Sequence, residues 1–84
     1  MMEYEKSAYS VEEVIHRLGR EYGELRKQKG YTQKQVSEHS GLSIFTISTF
    51  ESGASTGLTL AAYIKLLRAI ECFEKVERLT NIHE

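Results

Sequence analysis

Two short helices, each with its own start and stop signal, lie back to back within residues 32–53, and no other feature restricts the fold so closely. Thr32 is followed three residues on by Gln35, the spacing of a capping box. In that motif two side chains satisfy each other's unpaired backbone donors. Val36 is the main apolar residue of this segment, and Gly41 after Ser40 ends it. Ser43 then caps a second segment, Ile44 to Ser52, which closes at Gly53. Only Gly41, Leu42 and Ser43 stand between the two helices.

The rest of the chain carries the same kind of punctuation. Ser10 and Glu13 form another capping box, after which Val11, Val14, Ile15, Leu18, Tyr22 and Leu25 recur at helical steps of three and four. This predicts one long helix ending near Lys29, with Gly30 as its left-handed stop. Gly19 and Gly23 inside it each cost about 1 kcal/mol against alanine, which weakens the case for an unbroken helix. After a polar stretch over residues 53–57, Thr59 caps a fourth helix with an apolar face of Leu60, Tyr63, Ile64, Leu67 and Ile70. Phe73, Val76 and Leu79 predict a fifth helix or a continuation of the fourth. With no proline in the chain, punctuation falls to glycine. No alternating pattern of useful length calls for a strand. The expected fold is all-α, a compact domain of four or five helices over residues 11–84, preceded by a flexible tail over residues 1–10.

Composition narrows the class. Hydrophobic residues at 40% and charged residues at 27% suit one modest core and exclude a wholly disordered chain. Cys72 is the sole cysteine, so no internal disulfide can form. No apolar run reaches the roughly 18 residues of a membrane span, and residues 1–10 are too polar for a signal peptide. A cytoplasmic protein without a membrane segment is expected. His16, His39 and His83 are too scattered for a metal site, and neither metal nor cofactor is expected. No nucleophile-and-base pattern or glycine-rich phosphate loop is present, and the serines sit at caps, so an enzyme is not expected. The net charge of −1 lacks the positive balance usual for nucleic-acid binders. Residues 31–57 hold only Lys34 against Glu38 and Glu51.

Two short helices joined by a glycine-containing turn have the helix-turn-helix form, although spacing alone also fits an ordinary helical hairpin. Residues 18–79 resemble the lambda-repressor/Cro-like (XRE-type) helix-turn-helix family. The matching residues are Leu25-Arg26, Gly30-Tyr31-Thr32-Gln33, Val36, Ser40-Gly41-Leu42-Ser43, Ile47-Ser48, Phe50-Glu51 and Gly53, then Leu60 and Leu66-Leu67-Arg68-Ala69. The end of the chain is similar to antitoxin-like members that pair with kinase-type toxins. The resemblance implies a lambda-repressor-like DNA-binding domain whose third helix enters the major groove of double-stranded DNA.

At about 100° per residue, Ile47 and Phe50 point inward while Phe45, Ser48 and Thr49 point outward, with Ile44 at the margin. The base-contacting set expected from this reading and the resemblance together is Ile44, Phe45, Ser48 and Thr49. The phosphate-contacting set expected is Gln33, Ser43 and Thr46, implied by the resemblance, with Lys34 and Ser55. The resemblance also implies an ion pair between Arg26 and Glu51. Ile44 and Phe45 depart from the polar residues that many relatives place there and offer only apolar contact, for instance with a thymine methyl. The function expected is a sequence-specific transcriptional regulator, a repressor acting as a homodimer through the segment of Phe73, Val76 and Leu79. The alternative is an antitoxin or protein-interaction module with a toxin-like partner.

Overall fold

The computed structural model describes residues 8–72, which form four helices: α1 (Val11–Gln28), α2 (Gln33–Ser40), α3 (Ile44–Ser52) and α4 (Leu60–Ala69). Among the described residues there is no strand. The expected fifth helix at Phe73, Val76 and Leu79 lies outside the described residues.

Each helix starts where its cap stands. Ser10 and Thr32 form both halves of their capping boxes, with Glu13 and Gln35 returning a bond to the cap backbone. Ser43 and Thr59 accept from the Thr46 and Ala62 backbone N–H groups at 3.0 Å. The ends of α1 and α4 are built alike. Past α1, the Gly30 and Tyr31 N–H groups donate back to the Lys27 and Arg26 carbonyls; past α4, those of Glu71 and Cys72 donate to the Arg68 and Leu67 carbonyls. This double bond back into the last turn needs a left-handed residue, usually glycine. Gly30 supplies it in α1 at φ 84°, whereas in α4 Glu71 adopts φ 65° with a full side chain.

Tyr22, Val36, Ile47, Phe50, Leu66, Leu67, Ile70 and Cys72 form the centre of the core. The Tyr22 and Tyr63 rings flank Phe50 at centroid distances of 6.2 and 6.0 Å. Tyr22 also donates its hydroxyl to the Leu66 carbonyl at 2.7 Å, which satisfies both the buried phenol and a helix-end acceptor. Burial, with the Glu51 carboxylate behind it, pushes the Tyr22 hydroxyl well above the ordinary tyrosine range.

The packing bears out one expectation, the single long first helix, and corrects two. The glycines at 19 and 23 do not interrupt α1, which runs unbroken through both. They are where α3 crosses it: a Cβ at Gly19 would run into the Phe50 carbonyl, and one at Gly23 would stand 3.0 Å from the Glu51 carboxylate. That crossing runs from His16 to Arg26, so Val11 and Val14 project past the core and are exposed. On α4 the buried face includes Ala62, Leu66 and Ala69, while Leu60 is exposed. The helix is wedged between α2 and the Tyr22–Phe50 cluster, so its buried stripe is wider than a single three-four pattern and rotated from the expected one.

Candidate nucleic-acid interface

The turn between α2 and α3 is held from both sides. Gly41 takes φ 80°, the Ser40 hydroxyl accepts from the Leu42 N–H at 3.1 Å, and Ser37 donates its hydroxyl to the Leu42 carbonyl at 2.6 Å. Leu42 packs against the core. The angle between the helices is therefore set by short-range bonds and one apolar anchor.

The inner edge of α3 is fully engaged. Ile47 and Phe50 are 0% and 2% exposed. Next to them Glu51 receives a two-pronged bond from Arg26, Nε to Oε2 at 2.7 Å and Nη2 to Oε1 at 2.8 Å. The third prong, Nη1, donates to the Tyr31 carbonyl at 2.8 Å, and Gln33 Nε2 donates to Glu51 Oε1 at 3.0 Å. The Arg26–Glu51 pair thus ties α1, the α1–α2 turn, α2 and α3 together. The Glu51 hydrogen bonds raise the Arg26 pKa further, against the opposing effect of burial. The side chains of the pair are only 8% and 10% exposed, so the fork geometry is held away from solvent competition. At the far end Gly53 takes φ 83° with the His16 ring lying where a Cβ would stand.

The outer edge is different in kind. Phe45 is 77% exposed and Ile44 45%. Ser48 and Thr49 are half-buried. Thr49 donates its hydroxyl to the Phe45 carbonyl at 2.8 Å, with the Thr46 carbonyl at 3.2 Å, so its proton is committed to its own helix. Beside this edge runs an open groove of about 460 Å³ between α3 and the entry to α4, lined by Phe45, Thr49, Phe50, Leu58 and Ala62 among others.

The residues expected at phosphates lie around this edge in unequal states. Lys34 and Ser55 are exposed. The Ser55 hydroxyl accepts from the Gly57 N–H at 3.3 Å, and its own N–H donates to the Thr49 carbonyl at 3.1 Å, which folds the loop onto α3. Ser43 donates to Thr46 Oγ1 at 3.0 Å while capping the helix. Gln33 gives one amide proton to Glu51 and keeps one. Its bracing role was missed by sequence reasoning, as was the seat formed by Gly19 and Gly23. The spacing of four between those glycines, inside an otherwise regular amphipathic helix, was the available signal of a close crossing.

Among the described residues no group of three His, Cys, Asp or Glu side chains could hold a metal, and no helix is long and apolar enough to cross a membrane. Neither the curated proteins nor the solved structures compared with the chain include a match. The family model for the helix-turn-helix matches residues 23–72, from the glycine that seats Glu51 to the cysteine after α4. That span holds α2, α3 and α4 complete, in an all-α, lambda-repressor-like fold. The chain belongs to the helix-turn-helix family.

Proposed function

We propose that the protein is a sequence-specific DNA-binding transcriptional regulator, a cytoplasmic repressor that acts as a homodimer. In this reading α3 lies in the major groove, with Ile44, Phe45, Ser48 and Thr49 at the base edges. Gln33, Lys34, Ser43, Thr46 and Ser55 hold the sugar-phosphate backbone. A two-fold dimer places two such helices about 34–36 Å apart, one turn of DNA. The chain has no catalytic role in this reading.

The observation that carries the proposal is the split character of α3 within a helix-turn-helix family match: one edge locked into the core, the other standing clear. Lys34 is the sole cation on α2 and α3. Phosphate attraction is correspondingly small, and each contact contributes about 0.9 to the salt slope, so binding is shallow in its salt dependence. Fluorescence anisotropy of the duplex upstream of the protein's own coding sequence, titrated at low salt, tests the reading. Saturable binding weakened by Phe45→Ala and Thr49→Ala supports it; no saturable binding rejects it.

A second reading rests on one specific observation. An exposed Phe45 beside Ile44, bordering the groove between α3 and α4, also suits a protein partner, as in an antitoxin that masks a toxin. Purification with a tightly held protein encoded in the same operon favours that role, and solitary purification with DNA affinity rejects it.

A further inference from the structure

We propose that this protein reads sequence through the C5-methyl groups of thymine, with Phe45 as the specificity-determining side chain. The inference rests on the reading of α3 as the major-groove helix and goes beyond it by naming which feature of the bases is recognised. Discrimination of guanine and adenine in the major groove uses paired hydrogen bonds from Arg, Lys, Asn or Gln. The nine residues of α3 include none of these. Its one charged side chain, Glu51, is consumed by Arg26 and Gln33 on the inner edge. Of the hydroxyls on and capping it, Thr49 donates to the Phe45 carbonyl, Ser52 to the Thr49 carbonyl and Ser43 to Thr46, while Ser48 is half-buried.

What α3 offers instead is apolar surface in its first turn, where a recognition helix meets base edges. Phe45 at 77% and Ile44 at 45% are its most exposed large side chains. Only one group in the major groove rewards such a surface: the thymine methyl, whose removal from water on contact is favourable without any hydrogen bond. With Lys34 the sole cation on α2 and α3, this apolar contact carries an unusually large share of the affinity.

The test starts from duplexes selected by the protein at low salt from a random-sequence library. The best duplex is then remade with deoxyuridine in place of each thymidine in turn, which deletes one methyl and leaves every hydrogen-bonding group in place. The expected result is a loss of about fourfold in affinity for each contacted thymine, the factor for one buried methyl group. Phe45→Ala binds the parent duplex more weakly and no longer distinguishes thymine from uracil at the positions it contacted. Its melting profile, unchanged because the side chain is exposed, shows that folding is not the cause. A selected duplex that binds equally well with uracil overturns methyl readout while leaving the DNA-binding function standing. Uracil sensitivity that survives in Phe45→Ala overturns the assignment to Phe45. Failure to select any saturably bound duplex removes the DNA-binding reading itself, and the inference with it.

Discussion

The two edges of α3 share nine residues and almost nothing else. On the inner edge every group has a partner from another helix: Ile47 and Phe50 lie in the core, Phe50 meets the bare backbone of Gly19, and Glu51 is held by two helices at once. On the outer edge Phe45 and Ile44 stand in solvent, and the Thr49 hydroxyl bonds only to its own helix. The difference teaches that orientation and recognition are assigned to separate residues. The inner edge aims the helix, and the outer edge is free to vary without disturbing the aim.

The sharpest way to break this division is to loosen the inner edge. Glu51→Gln keeps the shape of the side chain but leaves the Arg26 guanidinium as a buried charge without its counterion. Removing one partner of such a pair costs about 3–5 kcal/mol. A denaturant melt that moves by less than about 1 kcal/mol, the worth of an exposed pair, contradicts the buried network. Gly19→Ala comes next and sets two effects against each other. Helix propensity favours alanine by about 1 kcal/mol. The added Cβ, however, meets a backbone carbonyl of α3 that cannot swing aside, and overpacking of that kind costs about 3 kcal/mol. Packing wins, and a net loss of about 2 kcal/mol is expected; a gain in stability shows that the helices separate freely. Alkaline pH probes the same inner layer through Tyr22. Its folded pKa is raised above the unfolded value of 10.0 by burial first. The neutral phenol therefore contributes stability in full below pH 10, and that contribution is lost as pH climbs beyond it. Stability falls by about 1.4 kcal/mol per pH unit there. Tyr63 is shifted in the same direction, also by burial, so Tyr22→Phe removes only part of the slope.

Much of the inner edge was legible before any coordinates. Capping serines, threonines and terminal glycines mark the four helices because these signals act within one turn and need no tertiary partner. Ile47 and Phe50 follow from helical periodicity alone. What escaped depends on long-range crossing. Val11 and Leu60 continue their apolar stripes, yet both are exposed, because periodicity reports which side of a helix is apolar and not where along its length a neighbour crosses. Leu66 escaped for the same reason: α4 packs on α2, and the Tyr22 hydroxyl reaches the Leu66 carbonyl from 44 residues earlier in the chain. The interface divides along the same line: the outward set comes from local geometry, while the bracing by Gln33 requires α2 and α3 to be placed first.

A smaller effect compares the ends of two helices. Gly30 and Glu71 occupy the same position in equivalent terminal motifs, but the glutamate takes a left-handed backbone against its side chain. Relief of that conformation is worth about 1 kcal/mol, so Glu71→Gly is expected to stabilise the domain although glycine is otherwise the poorer residue. A melt unchanged or lowered by Glu71→Gly shows that the side chain makes a compensating contact.

The smallest effect on stability is expected at the outer edge, and it is the one that decides whether the two edges are independent. Phe45→Ala removes a side chain that is 77% exposed, so little packing is lost, and alanine is the better helix former by a few tenths of a kcal/mol. The variant should melt within about 0.5 kcal/mol of the parent. Affinity for a bound duplex should meanwhile fall about fourfold or more, since at least one apolar contact is gone. Thr49→Ala is a companion because its hydroxyl bonds only inside α3. Loss of binding without loss of stability in both variants places recognition wholly on this edge. An earlier melt in Phe45→Ala means instead that the ring packs on part of the molecule itself, and that the edge assigned to recognition also supports the fold.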